Sequence, residues 1–514
     1  MQMMDLEGPQ SSQGLTARYD ELLAPVTSKD NDTSFNRASA TYSNLDDRFR
    51  AAKRSYERQY AQLYFSRLML LKEVMLARVQ QLWPGVPVCT ILEVPESKEV
   101  AVIGTVYKNM KLKPSILDEY SKDRGLKAAL GAANFCSGDD SLVLEDEGAR
   151  MVLRDVAGPG PAGGSTTSGG GSEPLNVQEI VTGLVLAVRG VHEPGGDFIV
   201  NAVCFPGMAP NPHPLPAPVP HRAAAATAAV VAAGAPGDKY VALASGFCLG
   251  SSKADMLKTQ LALDFLTGNL GSPVEQQLSA QIVRLVVAGG CIGQLEALAG
   301  GGGGGSGSSN PYNRQAQGVA LQPVRDLDLL LAELSAGMSV DVMPGAEDPA
   351  NVALPQQPMH RCLFPAAGMQ GSFVRATNPH EFESDGVRLL GCSGQNVDDM
   401  AKYCGIRDRL DIMQRSVESR HIAPTAPDTL TCYPFHDKDP FILETTPHVY
   451  FVGNQPEFAT RLLGGGSAAG AAAAAGPVVR LVTVPSFVRT GTIVLINLRT
   501  LACHPLRFDG TLGL

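Results

Sequence analysis

The sequence predicts an α+β protein of several domains, in which an N-terminal helix and a small five-stranded β-barrel precede a layered α/β domain with mixed sheets. Length is the first reason, because 514 residues exceed what one hydrophobic core usually serves and suggest about three domains. The second reason is a series of strand-like runs between Val86 and Pro206. The third is the alternation of strand and helix patterns after residue 237, which is typical of a layered α/β domain.

Composition limits the classes of function. The chain is 44% hydrophobic and 18% charged, as in globular proteins with sizeable cores, and its net charge of −9 does not favour a protein whose main task is binding a nucleic-acid backbone. The ten cysteines form no Cys-x-x-Cys pair and several lie in apolar runs, which predicts buried, reduced thiols in an intracellular protein. The amino terminus predicts no secretory signal, and no apolar run approaches the roughly 20 residues that span a bilayer.

Changes in composition along the chain predict its division into domains. We expect an extended N-terminal arm at 1–50, a helix-plus-barrel domain at 51–206, a Pro/Ala-rich linker at 207–237 and the α/β domain at 238–514. Gly-rich segments of low complexity interrupt these domains at 158–174, 300–309 and 464–476. Such segments bury too little apolar surface to order themselves, and lengthening a surface loop costs little closure entropy, so we interpret them as flexible insertions.

The most regular helical pattern runs from Ala51 to Trp83. Apolar residues recur there every three or four positions, at Tyr56, Tyr60, Tyr64, Leu68, Leu71, Met75 and Val79. The stripe would extend over about 45 Å at 1.5 Å per residue, and Pro84 and Gly85 end it. We predict that this stripe packs in a core or faces a protein partner.

Strand-like runs rich in Val, Ile and Leu follow the helix. Turn residues separate five of them: VCTILEV, EVAVIGTVYKNM, DSLVLEDEGARMVLRDV, EIVTGLVLAVRG and GDFIVNAVCFP. Gly104 and Gly183 stand where a strand of a small barrel must bend sharply. Five strands of this length fit the closed OB barrel best.

The second half alternates between strand and helix patterns. The strand patterns are KYVALASGF, QIVRLVVAGG, SVDVMPG, VRLLGCSGQ, HVYFVGN, VVRLVTVPSF and GTIVLINLRTLACHPLRF. The helix patterns are KADMLKTQLALDFLTG, VRDLDLLLAELSAG and a segment that begins at an Asn396 cap and ends near Arg420. Early alternation followed by late strands predicts a mixed sheet covered by helices.

Long and specific runs occur throughout the chain, among them NMKLKPSIL, SLVLEDEGARM, TGLVLAVRG, VDVMPGAEDPAN, LPQQPMHRCLFP, HIAPTAPDTLTCYPF and PHVYFVGNQPEF. These runs resemble the B-subunit (small-subunit) family of eukaryotic DNA polymerase delta. The resemblance extends from about residue 20 to the carboxyl terminus and is interrupted only by the low-complexity insertions. It implies an OB domain packed on a calcineurin-like phosphoesterase domain that has lost catalysis.

The same resemblance implies a noncatalytic scaffold subunit that acts in DNA replication and repair synthesis. The implied partners are the cysteine-rich C-terminal domain of the catalytic subunit and a third subunit that binds the sliding clamp. The resemblance also implies a nuclear location. From the residues themselves we expect no cofactor, no membrane contact and only indirect or weak contact with DNA. Because the sequence contains no convincing basic import signal, we expect the chain to enter the nucleus with its partners.

The α/β half lacks the metal ligands of an active phosphoesterase. Two cations about 3.5–4 Å apart need carboxylates and imidazoles at strand ends, which active members carry as Asp-x-His, Gly-Asp-x-x-Asp, Gly-Asn-His-Asp/Glu and Gly-His-x-His. The histidines are missing from all four places, so we predict no catalytic residue and no metal ligand. We interpret eight positions as a degenerate former metal site: Ser245, Phe247, Gly289, Gly290, Pro344, Gly345, Asp348 and Asn454.

Polar residues near these positions have structural interpretations. Asp348 precedes Pro349 and is predicted to form a turn by bonding the backbone ahead of it, whereas Glu347 is predicted to be solvated. His360 and His448 are lone imidazoles among apolar residues, and we predict structural roles for both.

One further group of polar residues lies in the run from His421 to His436, which the resemblance places near the former active site. His436, Asp437 and Asp439 are the nearest approach to a ligand cluster in this half of the chain. We interpret their segment, HDKDP, as a surface turn.

Two other functions stay open at this point. A single-strand-binding OB protein would need aromatic platforms and cationic walls, but the barrel strands carry few aromatic residues (Tyr107, Phe198, Phe205) and the net charge is unfavourable. A phosphoesterase with unusual ligands would reveal itself by bound manganese, iron or zinc and by hydrolysis of a phosphodiester.

Overall fold

The architecture comes from a computed structural model, which describes residues 15–17, 35–51, 57, 59–114, 134–155, 172–193, 196–213, 237–293, 314–464 and 477–509. Most of the predicted arm and linker, and nearly all of the three predicted insertions, lie outside these ranges. Within them, one small barrel and two mixed sheets confirm the predicted α+β class. Among the described helices, none combines the length and hydrophobicity needed to cross a bilayer.

The described part of the N-terminal arm is held against the α/β domain. Its strands β1 (Leu15–Ala17) and β2 (Tyr42–Asn44) each extend the edge of one of that domain's two sheets. Arg37 donates hydrogen bonds to the carbonyl oxygens of Leu266, Ser279 and Ile282. The first two of these residues lie in the last turn of a helix. The negative end of a helix dipole favours a cation at that place, so Arg37 fixes the arm electrostatically.

The periodicity predicts a helix that begins at Ala51. In the structure, helix α1 (Ala61–Leu82) begins ten residues later, at Ala61. The backbone of Ala51 donates to Oε1 of Gln357 (3.2 Å), and the Tyr60 hydroxyl donates to the carbonyl oxygen of Cys432 (3.0 Å). These residues therefore contact the α/β domain instead of continuing the helix, and Tyr56 lies outside the described residues. Within the helix the apolar stripe is core, as predicted: Leu68, Leu71, Met75 and Val79 pack on the barrel.

The barrel contains five strands, as predicted, and one short strand joins its edge. The bounds are β3 (Val88–Cys89), β4 (Glu99–Asn109), β5 (Ser141–Glu145), β6 (Arg150–Asp155), β7 (Val185–His192) and β8 (Asp197–Cys204). The order β4-β5-β6-β8-β7 closes by pairing of β7 with β4, and β6 with β8 is a parallel pair. This is the strand order of an OB barrel.

Three details of the barrel prediction were wrong. VCTILEV forms only the two-residue β3 and a short 3-10 helix, and DSLVLEDEGARMVLRDV is a hairpin of β5 and β6. The hairpin turns at Asp146, whose side chain accepts the N–H groups of Gly148 and Ala149. Gly183 lies before β7, not within a strand: its φ is +89°, and a Cβ there would lie 2.0 Å from the Pro424 carbonyl oxygen.

The predicted bend at Gly104 is present in β4. This strand pairs with β7 up to Thr105 and with β5 from Thr105 onward. A Cβ at residue 104 would lie 2.6 Å from the carbonyl oxygen of Glu145. Only glycine permits this close approach of two strands.

The α/β domain is a sandwich of two sheets between layers of helices. Its elements are β9 (Tyr240–Ala244), α2 (Met256–Thr267), α3 (Pro273–Ala280), β10 (Ile282–Ala288), α4 (Arg314–Gly337), β11 (Ser339–Met343), β12 (Phe373–Arg375), β13 (His380–Ser384), β14 (Val387–Cys392), α5 (Gln395–Tyr403), α6 (Arg409–Glu418), β15 (Val449–Gln455), β16 (Ala459–Leu463), β17 (Val479–Pro485), α7 (Phe487–Thr490), β18 (Thr492–Asn497) and β19 (Cys503–Phe508). The first sheet has the order β1-β19-β18-β9-β10-β11-β12, and the second has the order β16-β17-β15-β14-β13-β2.

Three apolar layers hold this sandwich together. Leu243 and Val286 of the first sheet face Phe451 and Val482 of the second across the central layer. Helices α2, α3 and α4 cover the outer face of the first sheet. Helices α5 and α6 cover the outer face of the second sheet and share one continuous core with the barrel.

Local hydrogen bonds explain where the predicted elements of this half break. The helix predicted from Asn396 to Arg420 is two helices, because Asp408 accepts the N–H of Leu410 and starts α6. Asn396 is not a cap but lies inside α5. The run GTIVLINLRTLACHPLRF is two antiparallel strands, since the Asn497 side chain accepts the N–H groups of Arg499 and Thr500 in a turn between them.

Candidate functional site

The candidate site is the edge where β9, β10, β11 and β15 end, because the positions predicted as a former metal site follow these strands. All eight predicted positions lie on this edge: Ser245 and Phe247 follow β9, Gly289 and Gly290 follow β10, Pro344, Gly345 and Asp348 follow β11, and Asn454 is near the end of β15. The carboxyl ends of the parallel strands bring these loops together.

Protein atoms fill the space between the strand ends. A Cβ added to Gly290 would lie 2.5 Å from Oδ1 of Asn454, and one added to Gly289 would lie 2.7 Å from Cα of Gly345. A Cβ on Gly345 would in turn lie 2.5 Å from the Gly290 nitrogen. The loops after β10 and β11 therefore touch through their backbones, and the Asn454 side chain packs against Gly290.

Asp348 links two of these loops through its carboxylate. Its oxygens accept the backbone N–H groups of Gly345 (2.7 Å), Gly290 (2.8 Å) and Ile292 (2.9 Å). The predicted turn role was therefore only partly right, because the carboxylate bonds backward and across to the next strand end rather than ahead. Burial raises the pKa of Asp348, against the opposing effect of these N–H groups.

Asn454 and Ser245 join the remaining strand ends. The Asn454 amide donates to the carbonyl oxygens of Ala288 (3.1 Å) and Ser393 (2.7 Å), and its backbone N–H donates to Oγ of Ser245 (2.8 Å). Asn454 has a left-handed φ of 57°, which an asparagine tolerates better than most residues. Neutral side chains thus hold the strand ends by hydrogen bonds.

Phe247 occupies a core position rather than a site position. Its ring packs on Phe487 with centroids 4.9 Å apart, and its side chain is buried in the layer beneath α2. This apolar packing gives Phe247 a place in the core, and a phenyl ring offers no metal ligand.

A network of neutral amides was not predicted from the sequence. Gln356 donates to the carbonyl oxygen of Gly345 (3.0 Å), and Asn378 donates to both Gln356 (2.8 Å) and Ser393 (2.8 Å). Gln395 completes it by donating to Gln356 (2.9 Å). The signal was present in the amides that lie beside prolines in LPQQP and TNPH.

The isolated histidines have structural roles, as predicted. His448 accepts the backbone N–H of Arg388 at Nδ1 (2.9 Å) and donates from Nε2 to the carbonyl oxygen of His213. His360 accepts the N–H of Cys362 and begins a short 3-10 helix on the surface.

The surface-turn prediction for HDKDP was wrong for its last acid. His436 and Asp437 are exposed, but Asp439 is fully buried and bonds Nε of Arg67 (2.8 Å) and Nε2 of His421 (2.8 Å). The sequence did not show that Asp439 is buried, because its partner Arg67 belongs to helix α1, far away in the chain. Across the described ranges, no three His, Cys, Asp or Glu side chains are grouped so as to hold a metal ion.

Asp348→Ala is expected to lower the free energy of unfolding by about 3 kcal/mol. The change leaves three buried N–H groups without an acceptor, each at a cost on the order of 1 kcal/mol or more. Urea denaturation of the purified chain measures the effect. Glu347→Gln, at the exposed neighbouring residue, should change stability by no more than about 0.5 kcal/mol. An unchanged stability of Asp348→Ala would contradict the structural role.

Comparison with known proteins identifies the two halves separately. A family model described as the DNA polymerase delta subunit OB-fold domain matches residues 59–203, and one described as the B-subunit of DNA polymerase alpha/epsilon matches residues 241–460. Both matched ranges lie inside the helix-plus-barrel and α/β parts of the structure.

Relatives align with nearly the whole chain. The DNA polymerase delta small subunits of Arabidopsis thaliana and Oryza sativa are 40% and 39% identical, over 93% and 92% of this chain and 98% of each relative. DNA polymerase delta subunit 2 of Drosophila melanogaster is 32% identical over 92% of this chain and 99% of its own length. The chain therefore belongs to the DNA polymerase delta small-subunit family, whose members are noncatalytic accessory subunits in DNA replication.

Proposed function

We propose that this chain is the scaffold of a polymerase delta complex, which bridges the cysteine-rich C-terminal domain of the catalytic subunit and the third, clamp-binding subunit. The strand-end site carries this proposal. At these strand ends, where the resemblance to a phosphoesterase would put cations, neutral amides and the N–H-bonded Asp348 join the loops by hydrogen bonds. An α/β domain that no longer catalyses a reaction can still bind other proteins through its surface.

A rigid junction between the barrel and the α/β domain supports a scaffold role. The fully buried Lys108 of β4 donates to the carbonyl oxygen of Tyr403 (3.1 Å). Arg415 of α6 bonds Glu173 (3.1 Å) and lies over the Phe205 ring (4.3 Å). Because these cations have partners on the opposite domain, the two domains present their surfaces in one fixed arrangement.

Direct DNA binding is expected to be weak. The outward face of β4, β5 and β6 presents Tyr107 beside Val143 and Val152, so one aromatic ring lies in this cross-strand row. Arg150 and Arg154 on the same strands are paired with Glu145 (2.9 Å) and Asp197 (2.6 Å). Paired cations release few counterions on a phosphate backbone, and we propose that the chain meets DNA through its partners in the nucleus.

Co-expression with the catalytic and third polymerase subunits of the same organism tests this function. We expect one stoichiometric complex on size-exclusion chromatography, with subunits identified by mass spectrometry. A chain that stays a monomer beside both subunits would overturn the proposal. Stoichiometric manganese, iron or zinc that Asp348→Ala removes, together with phosphodiester hydrolysis, would instead support the phosphoesterase alternative.

A further inference from the structure

Helix α1 has a second apolar side that does not face the barrel. Phe65, Met69 and Leu70 are 50%, 46% and 48% exposed, whereas Arg67 and Leu71 on the opposite side of the helix are buried. Phe65 and Met69 are four residues apart and therefore form one line on the helix surface. Half-exposed large side chains grouped on one helix mark an interaction site more often than scattered ones do.

Acidic residues border this line of apolar side chains. Glu73 lies one turn beyond Met69 and is exposed. Glu147, at the turn between β5 and β6, bonds Lys72 of the helix (2.6 Å) and remains 40% exposed. On the other side, Ser66 donates to the carbonyl oxygen of His436 (3.2 Å), which places the exposed Asp437 beside the helix.

We infer that this surface, formed by Phe65 and Met69 with the exposed carboxylates of Glu73 and Asp437, binds a basic amphipathic helix of another polymerase subunit. Two apolar side chains of that helix, spaced by one turn, would pack on Phe65 and Met69. Lysine or arginine residues beside them would face Glu73 and Asp437, whereas Glu147 already has Lys72 as its cation. The charge of Glu73 and Asp437 favours this occupant, because an acidic helix would place like charges beside both carboxylates. This inference rests on the proposed scaffold function.

The other side of α1 explains why the contact would be precise. Arg67, one turn before Leu71 on the buried side, bonds the α/β domain, while Leu68, Leu71 and Met75 pack on the barrel. The helix is therefore fixed before a partner arrives, and little conformational entropy is lost on binding.

Binding is tested in the co-expressed three-subunit complex with the chain carrying an affinity tag. Phe65→Glu combined with Met69→Glu should weaken retention of one polymerase subunit at least tenfold after a salt wash. Glu73→Lys keeps the apolar residues but reverses the charge, and it should weaken the same subunit at low salt more than at high salt. Leu329→Glu on α4, where the leucine is 63% exposed, is the matched control and should retain both subunits.

Each outcome has a distinct meaning. If the wild-type chain retains neither subunit, the scaffold function itself fails. If the wild-type chain retains both and the double variant does too, with an unchanged melting temperature, the inferred surface is wrong. Loss in the double variant without an effect of Glu73→Lys would overturn the basic character of the partner, and a wild-type homodimer that the double variant dissociates would show a second copy as the occupant.

Discussion

Arg67→Met is expected to lower the free energy of unfolding by about 3–5 kcal/mol, because it leaves a buried carboxylate without its cation. The Arg67 side chain is fully buried where α1, the barrel and the α/β domain meet. It donates to Asp439 (2.8 Å) and to the carbonyl oxygens of Gly183 (2.9 Å), Pro424 (2.8 Å) and Ala426 (2.7 Å). Methionine fills a similar volume and replaces none of these bonds.

His421 gives this prediction a pH dependence. Burial, and then the neighbouring Arg67, lower the pKa of His421 to about 4, so its Nε2–H donates to Asp439 as a neutral imidazole. A histidine with a lowered pKa stabilises the fold above its unfolded value near 6.5, and this contribution is lost as the pH falls toward 4. Without Arg67, protonated His421 becomes the only nearby cation for Asp439, so the acid-side loss should shrink in the variant.

Urea denaturation of both proteins at pH 7.5, 6 and 5 measures these effects. Arg325→Met, at an exposed position of α4, is the control and should change stability by no more than about 0.5 kcal/mol. Adding Asp439→Asn to Arg67→Met should cost less than the sum of the single changes, since both remove the same interaction. Strict additivity would show that Arg67 acts through packing alone.

Periodicity and turn residues were sufficient to predict which segments of this chain form helices and which form strands. They predicted the apolar stripe of α1, the strands of the barrel and the alternation of the α/β half. They failed where one side chain decides the course of the backbone, as Asp146 does in the β5–β6 hairpin and Asn497 does between the last two strands. Such turns depend on hydrogen bonds from a side chain to the backbone, which composition and periodicity do not reveal.

The missed features of the site share another cause, since their partners lie far apart in the sequence. Asp348 was noted in the sequence, but two of its three N–H donors, Gly290 and Ile292, come from the loop after β10. Arg67 carried a readable signal, because a charged residue in phase with Leu63 and Leu71 must be buried and must find a partner. The identity of that partner, Asp439, depends on how two domains pack and could not be read from local pattern.

A second buried ionisable residue, His380, also has charged partners. It is fully buried and belongs to a charge network between the two sheets. Its Nδ1 lies 2.8 Å from Oδ1 of Asp46 and its Nε2 lies 3.3 Å from Oδ2 of Asp341. Carboxylates only accept hydrogen bonds, so both ring nitrogens must carry protons. Arg284 bonds the other oxygen of Asp341, and the Tyr42 ring of the arm lies 3.5 Å from the Arg284 guanidinium carbon.

His380→Gln is expected to destabilise the chain most at pH 6.5 and progressively less toward pH 9.5. Burial lowers the pKa of His380, but the hydrogen bonds to Asp341 and Asp46 outweigh it and raise the pKa to about 9. A raised pKa stabilises the fold below the unfolded value near 6.5, and this contribution is lost as the pH rises through 9. A change from about 6.5 to about 9 corresponds to about 3 kcal/mol, and glutamine, which cannot be protonated, has no such term.

Urea denaturation across pH 6.5–9.5 should show the difference between wild type and His380→Gln shrinking by about 3 kcal/mol, while His436→Gln, at an exposed histidine, stays near wild type throughout. A difference that is constant with pH would mean that His380 is neutral and acts through shape alone. The arm supplies a second readout, because Asp46 belongs to it and β2 pairs with the strand that carries His380. Protection of the Tyr42–Asn44 amides against hydrogen exchange, corrected for the intrinsic rate, should therefore fall as the pH passes 9 in the wild type, and it should be low at every pH in Asp46→Ala.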